Sequence, residues 1–138
     1  MLLNQTAEYA LRAMTQLTSL RVGESITSSD LSDVTHIPVH YLSKIMRKMV
    51  AANLVVSQKG HNGGFSLAKS PDKIRFYDII KASGVDVNLN QCAFGWGKCS
   101  SKKPCPLHAS WSEMIHNFLS WSQKQNLGAV VPKKRMLL

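Results

Sequence analysis

Cysteine is scarce in this chain of 138 residues, and all three copies fall between positions 92 and 105. An odd, clustered set does not suit a disulfide framework. In a reducing compartment such thiols are more often metal ligands or sensors. Long apolar runs are missing too: none approaches the roughly 18 residues that a bilayer-spanning helix needs. No basic segment followed by an apolar one opens the chain, so no signal peptide is expected and the expected location is the cytoplasm, with no membrane span. Acidic residues are few, 8 against 17 Lys and Arg, which leaves a net charge of +9. That excess points to a polyanion, either nucleic acid or an anionic membrane surface, against the plainer reading of charge kept for solubility. The length suits one domain with a small appendage, able to bury about two-thirds of its unfolded surface without covalent staples.

What is present divides the chain into four parts. The first, 1–84, reads as mainly α with a small β-hairpin. Ala7, Ala10, Leu11, Met14 and Leu17 recur at helical spacing in a segment from Asn4 to Leu20, with Asn4 or Thr6 as cap and Gly23 as stop. A short helix carrying Leu31 and Val34 follows a Thr27 or Ser28 cap. His36-Ile37-Pro38 then makes a turn, with Pro38 suited to the first position of the next helix. From Pro38 to Ala52, Leu42, Ile45, Met46 and Met49 point one way, and His40, Ser43, Lys44, Arg47 and Ala51 the other. Two helices joined by a tight turn, the second with a basic outer face, make a helix-turn-helix pattern. The strand candidates Leu54–Ser57 and Phe65–Leu67 flank a tip holding Lys59, His61, Asn62 and Gly63, whose glycines supply positive φ. Helix, helix and basic hairpin together make a winged helix. Arg75 to Ser83 reads as a further short helix bearing Phe76, Ile79 and Ile80.

The second part, 85–106, carries the cysteines as C-x6-C-x5-C-x2-H: Cys92, Cys99, Cys105 and His108. The last step, on the first turn of a helix opened by Pro106, brings Cys105 and His108 to one side. Thiolates with an imidazole select iron–sulfur clusters or zinc. Structural zinc sites usually show tighter cysteine pairs, so the wide gaps favour a cluster. A structural zinc ion and bare redox-sensing thiols are the alternatives. A cysteine-nucleophile enzyme is the reading from another class, but no oxyanion device can be identified for it. The third part, 107–127, places Leu107, Trp111, Met114, Ile115, Phe118 and Leu119 at spacings of three and four, with Trp121 widening the stripe. Such a face needs cover, and a second copy of the helix supplies it, giving a homodimer. The basic stretch at 128–138 is expected to be a flexible tail.

Five stretches carry a resemblance. They are T-x-E-Y-A-L-R-A-M from Thr6, I-P-x-x-Y-L-x-x-I-M from Ile37, L-V-x-S-x-K-G-x-x-G-G-F-x-L-A from Leu54, D-I-I-K-A-S-G from Asp78 and C-P-L-H-x-x-W from Cys105. With them the chain, over nearly its whole length, resembles the Rrf-two family of bacterial transcription regulators, which includes the iron–sulfur assembly regulator and the nitric-oxide-sensing repressor. The resemblance implies a homodimer with a winged helix-turn-helix on each subunit, a long C-terminal dimerisation helix, and an iron–sulfur cluster held by Cys92, Cys99 and Cys105. It offers two fourth ligands. His108 matches the histidine of the assembly regulator, whose cluster is of the [2Fe–2S] type, and this type is favoured here over [4Fe–4S]. Glu8 falls where nitric-oxide sensors place a carboxylate that reaches across from the other subunit. Two departures are visible: the first cysteine gap is one residue longer than usual, and Lys59 stands where an arginine is common. A lysine cannot make a bidentate fork to a guanine.

The expected partner is double-stranded DNA with a palindromic operator. Thr27, Ser28 and Ser29 would hold phosphate at a helix start, and His40, Tyr41, Ser43, Lys44 and Arg47 would lie in the major groove. Lys59, His61, Asn62 and Gly63 would touch the minor groove. The expected function is a regulator, in the sense of a repressor, whose operator affinity follows a cluster that senses redox state, nitric oxide or iron.

Overall fold

The computed structural model describes residues 3–60, 63–85 and 102–131. Five α-helices and one hairpin follow in the order α1 (Gln5–Leu17), α2 (Ser28–Thr35), α3 (Val39–Ala51), β1 (Val55–Gln58), β2 (Gly64–Leu67), α4 (Phe76–Ala82) and α5 (His108–Lys124). Short 3-10 turns stand at Pro71–Lys73 and Leu127–Val130.

α1 is the central element and packs on α2, α3, α4, β2 and the last 3-10 turn. Ala7, Ala10 and Ala13 are fully buried, and such small side chains let neighbouring elements come close. Of the two cap candidates Asn4 does the work: its Oδ1 accepts the Ala7 N–H at 2.9 Å. The helix stops at Leu17, three residues short of the expected Leu20. The amides of Thr18, Ser19 and Leu20 each donate to the carbonyl three residues back, so the last turn tightens. Gly23 sits beyond it at φ +87° in a turn closed by Glu24 N–H to Arg21 O.

α2 opens on Thr27, whose hydroxyl oxygen accepts the Asp30 N–H at 3.1 Å. Its buried line is Leu31 and Thr35, not Leu31 and Val34. Val34 is 41 % exposed, while the Thr35 hydroxyl is satisfied by the Leu31 carbonyl at 2.6 Å. His36 takes the left-handed conformation at φ 60°, and Pro38 serves as N-cap of α3 rather than its first residue. α3 buries Leu42, Ile45, Met46 and Met49, as its spacing predicts.

The hairpin pairs antiparallel from Val55↔Leu67 to Gln58↔Gly64. Ile26, just ahead of α2, adds a third rung. Phe65 N–H donates to Ile26 O at 2.7 Å, and Ile26 N–H to Phe65 O at 3.0 Å. Gly64 permits this approach. At φ +144°, a Cβ there would run into the Ile26 carbonyl and stand 2.9 Å from Thr27 N.

The chain beyond α5 is docked up to the 3-10 turn Leu127–Val130, ahead of most of the stretch expected as a tail. Leu127 is fully buried, its N–H donates to Ile74 O at 2.9 Å, and Phe76 N–H donates to Gln125 O at 3.0 Å. The tail's basic residues, Lys133 to Arg135, lie outside the described residues. α5 likewise starts later than expected, at His108 with Leu107 as its cap, instead of at Pro106, and ends at Lys124.

Candidate nucleic-acid interface and thiol–imidazole site

Three surfaces meet on one side of the first 84 residues. The start of α2 presents Thr27, Ser28 and Ser29, with the Thr27 oxygen already engaged as cap. α3 exposes His40, Lys44 and Arg47 along one line at steps of four and three. Ser43 is half-buried, and its hydroxyl donates to Val39 O at 2.9 Å. The hairpin tip presents Lys59 and Gly60, the latter at φ +90°. Gly63 is half-buried, with its N–H on Gly60 O at 2.9 Å. His61 and Asn62 lie outside the described residues.

Tyr41 and Lys48 occupy a different flank of α3. The Tyr41 ring meets Tyr9 edge-on at 5.6 Å, and its hydroxyl lies 3.4 Å from Thr6 Oγ1, so it faces α1. Lys48 Nζ donates to Ser83 O at 3.2 Å and ties α3 to the end of α4.

The charges on the outer face have no carboxylate partner among the described residues. Among the described residues the ion pair is Arg75–Asp78, at 2.9 Å, away from that face. Burial works to raise the Asp78 pKa. The hydrogen bonds from the Arg75 side chain and backbone, with the charges of Arg75 and Lys69, outweigh it and bring it below the usual carboxylate value. The same hydrogen bond, then the charge of Asp78, raises Arg75. Lys44, Arg47 and Lys59 therefore project a positive field with no carboxylate partner among the described residues, the electrostatic footprint of a phosphate-binding surface.

Sequence reasoning missed a cleft of about 430 Å³ between α3 and the hairpin, lined by Ser43, Arg47, Val50, Ala51, Ser57 and Phe65. Strand alternation puts Ser57 and Phe65 on one face, but which element that face meets is settled by tertiary packing alone.

The second candidate site lies at the start of α5. Cys105 is a half-buried free thiol. Its carbonyl accepts the His108 N–H at 3.0 Å, which sets the two residues on one turn. His108 Nδ1 is buried and has no hydrogen-bond partner among the described residues. A buried ring nitrogen left unpaired costs about 1–3 kcal/mol unless something occupies it, and a soft metal centre is a natural occupant for imidazole beside thiol. Glu8 stands exposed in the first turn of α1. Cys92 and Cys99 lie outside the described residues. Among the described residues no three His, Cys, Asp or Glu side chains gather as a metal group, so the structure brings together Cys105 and His108 and does not add Glu8 to them.

Comparison with known proteins agrees with this architecture. A family model described as "Rrf2: Iron-dependent Transcriptional regulator" matches residues 3–133. A protein of Aquifex aeolicus (strain VF5) named "Putative HTH-type transcriptional regulator" is 36 % identical over 116 residues, covering 83 % of this chain and 80 % of its own. An Azotobacter vinelandii protein of the same designation, ORF2, is 31 % identical over 123 residues, covering 87 % and 74 %. Among solved structures, CymR of B. subtilis, titled the global cysteine regulator of that organism, superposes with TM-score 0.80 at 17 % identity, over 96 % of this chain and 98 % of its own. IscR of T. potens superposes with TM-score 0.69 at 19 % identity, over 91 % and 82 %. Those two likenesses show the fold. None of these proteins is described as an enzyme. The chain belongs to the Rrf2 family of DNA-binding transcriptional regulators.

Proposed function

We propose that this regulator binds a palindromic operator as a homodimer and that an iron–sulfur cluster at the start of α5 sets its affinity. α3 enters the major groove with His40, Ser43, Lys44 and Arg47. The α2 start holds a phosphate near Ser28 and Ser29, and the hairpin tip from Lys59 to Gly63 meets the minor groove. The observation behind the DNA half is the pair of cations Lys44 and Arg47 on α3 beside Lys59, none with an ionic partner among the described residues. The dimer reading rests on α5. Leu107, Trp111, Met114, Phe118 and Trp121 follow one another at steps of four and three, a coiled-coil seam. Leu107, Met114 and Trp121 on that seam are 45 %, 42 % and 44 % exposed.

The observation behind the sensor half is the buried, unpartnered His108 Nδ1 one turn from a free Cys105 thiol. Cys92, Cys99 and Cys105 would hold the cluster. His108 is favoured as fourth ligand over Glu8 of the partner subunit, and a [2Fe–2S] type over [4Fe–4S]. A bound cluster would supply a centre that exchanges an electron or reacts with nitric oxide or oxygen. The residues around it supply position: the turn fixed by Cys105 O and His108 N–H keeps two donors together at a helix start. The loaded and stripped states must differ in DNA affinity for this to be a switch. Coupling in allosteric proteins runs to about 1–3 kcal/mol, or roughly 5- to 150-fold.

Anaerobic purification tests the sensor half. The expected product is brown, with visible charge-transfer absorption that disappears in Cys92→Ala, Cys99→Ala and Cys105→Ala. Colourless protein with stoichiometric zinc would replace this reading by a structural ion, and colourless metal-free protein by a bare-thiol sensor. In vitro selection from random duplexes tests the DNA half, which fails if no sequence is enriched.

A further inference from the structure

The cleft between α3 and the hairpin lies where a duplex docked as above must pass a strand of its backbone. We infer that this cleft is a cradle for one sugar–phosphate strand. Arg47 and Ser57 hold the phosphate, and Val50 and Phe65 pack on the deoxyribose. The inference rests on the docking just proposed.

Adjacent major and minor grooves of B-DNA are separated by a single backbone strand. A helix lying in one groove and a hairpin tip in the next are therefore bridged by that strand, which crosses the surface between them. Here that surface is concave, about 430 Å³, with an apolar floor of Val50, Ala51 and Phe65 and a polar rim of Ser43, Arg47 and Ser57. A deoxyribose is mostly carbon on its C2′ side, and its phosphate is ionic, so floor and rim match the two halves of one nucleotide linkage.

The rim divides by hydrogen bonding. Ser43 already donates its hydroxyl proton to Val39 O, which leaves it poorly suited to an anion. Arg47 and Ser57 are exposed and have no hydrogen-bond or ionic partner among the described residues, so they are the available donors. Ser57 and Phe65 are direct cross-strand partners, so their side chains share a sheet face, the face that continues to the buried Val55. Floor and donor thus arrive as one unit.

The cradle is also fixed in width. Phe65 is clamped to Ile26 through both its N–H and its carbonyl, and Ile26 leads directly into the α2 start. The hairpin, the α2 start and α3 therefore present one preformed surface, and little ordering cost remains for binding.

A floor of this kind also distinguishes sugars. A ribose 2′-hydroxyl laid on Val50 and Phe65 would lose water and find no partner. The A-form geometry of RNA would in any case not offer a readable major groove to α3.

The test uses the full chain and a duplex recovered by in vitro selection, with methylphosphonates replacing one phosphate at a time. Neutralising this phosphate in one half-site is expected to weaken wild-type binding by about ten-fold, the size of one charge-assisted hydrogen bond. Arg47→Ala and Ser57→Ala should each weaken binding to the unmodified duplex and show little further loss when that same phosphate is neutral. Lys44→Ala, which lies outside the cleft, should keep the full ten-fold sensitivity. One 2′-hydroxyl at the same nucleotide should weaken wild-type binding by about five-fold. Additive losses for Arg47→Ala or Ser57→Ala with every methylphosphonate overturn the cradle while leaving the DNA docking in place. Failure to select any duplex overturns both. Ser57 is exposed, so its alanine variant tests the idea without threatening the fold.

Discussion

Gly64→Ala is the substitution that tests most directly whether the hairpin is held or free. Two effects add. The backbone at φ +144° lies where an L side chain is strained, at a cost of about 1–3 kcal/mol. The new Cβ also collides with the backbone of Ile26, which cannot swing aside like a flexible side chain. Relief requires parting Ile26 from Phe65 and losing both hydrogen bonds of that bridge, about 1 kcal/mol each. The sum is about 4 kcal/mol, or about 12 °C in Tm for a domain of this size. Gly60→Ala is the control. Gly60 also has positive φ, at +90°, but a Cβ there meets nothing within 4 Å, so only strain of about 1 kcal/mol applies. Thermal melts should separate the two variants by several degrees. Amide exchange should quicken at Ile26 and Phe65 in Gly64→Ala alone. A Gly64→Ala protein that melts within about 3 °C of wild type, with the Phe65 amide still slow, would refute the clamp.

Thr27→Ala removes the α2 cap and should cost about 1 kcal/mol in chemical denaturation. Asp78→Asn probes the paired carboxylate. Its folded pKa is lowered, so its contribution is complete above the ordinary value of about 4 and fades as pH falls through the folded value. The stability gap between wild type and Asp78→Asn should therefore be flat from pH 6 to 8 and close below about pH 4, as read by urea titration at each pH. His108→Leu, measured on metal-free protein, should be neutral or stabilising by about 1 kcal/mol, because it removes a buried nitrogen with no partner. A loss of more than about 1 kcal/mol would show that Nδ1 is satisfied. Met114→Glu should yield monomers in sedimentation velocity, since its side chain lies exposed on the α5 seam.

Most of α3 was legible in the sequence because its faces divide cleanly: Leu42, Ile45, Met46 and Met49 are all buried, and His40, Lys44 and Arg47 all exposed, although Tyr41, grouped with the outer face, turns to α1. The α5 stripe was equally plain, but not where the helix begins. Proline suits a first helical position, so Pro106 reads as the helix start, but Pro106 and Leu107 form a turn and the helix begins at His108. Long-range partners were the least readable. Gly64 reads as any hairpin glycine until Ile26, far off in sequence, is set against it. Leu127 reads as the end of a pattern until it docks under Ile74. The cleft needs α3 and β1 placed side by side, which no local period reports. Of the thiol site, the turn joining Cys105 to His108 was foreseeable from spacing, whereas the solitary state of Nδ1 depends on what surrounds it.

The attachment of α5 narrows how the proposed sensor can act. Its 17 residues span about 25 Å at 1.5 Å per residue. The C-terminal end is riveted to the body of the first 84 residues: Gln125 O accepts the Phe76 N–H, Leu127 N–H donates to Ile74 O, and Trp121 meets Phe76 edge-on at 5.5 Å. α4 in turn is tied to α3 through Lys48 and Ser83 O. The other end carries Cys105 and His108, with Leu107 exposed beside them. Among the described residues, a change at that end therefore reaches α3 only through these fixed contacts. In the proposed dimer it would instead alter the packing of the seam against the second copy, and with it the distance between the two reading heads. Genetically encoded spin labels at Lys44 and Asn117 would tell the routes apart. Within one protomer the Lys44–Asn117 distance should stay constant between metal-loaded and stripped protein, while Lys44 to its counterpart across the dimer should move. An intramolecular shift beyond the ~1–2 Å of ordinary helix adjustment would mean that the signal travels inside the subunit after all, through the rivets at Phe76 and Leu127.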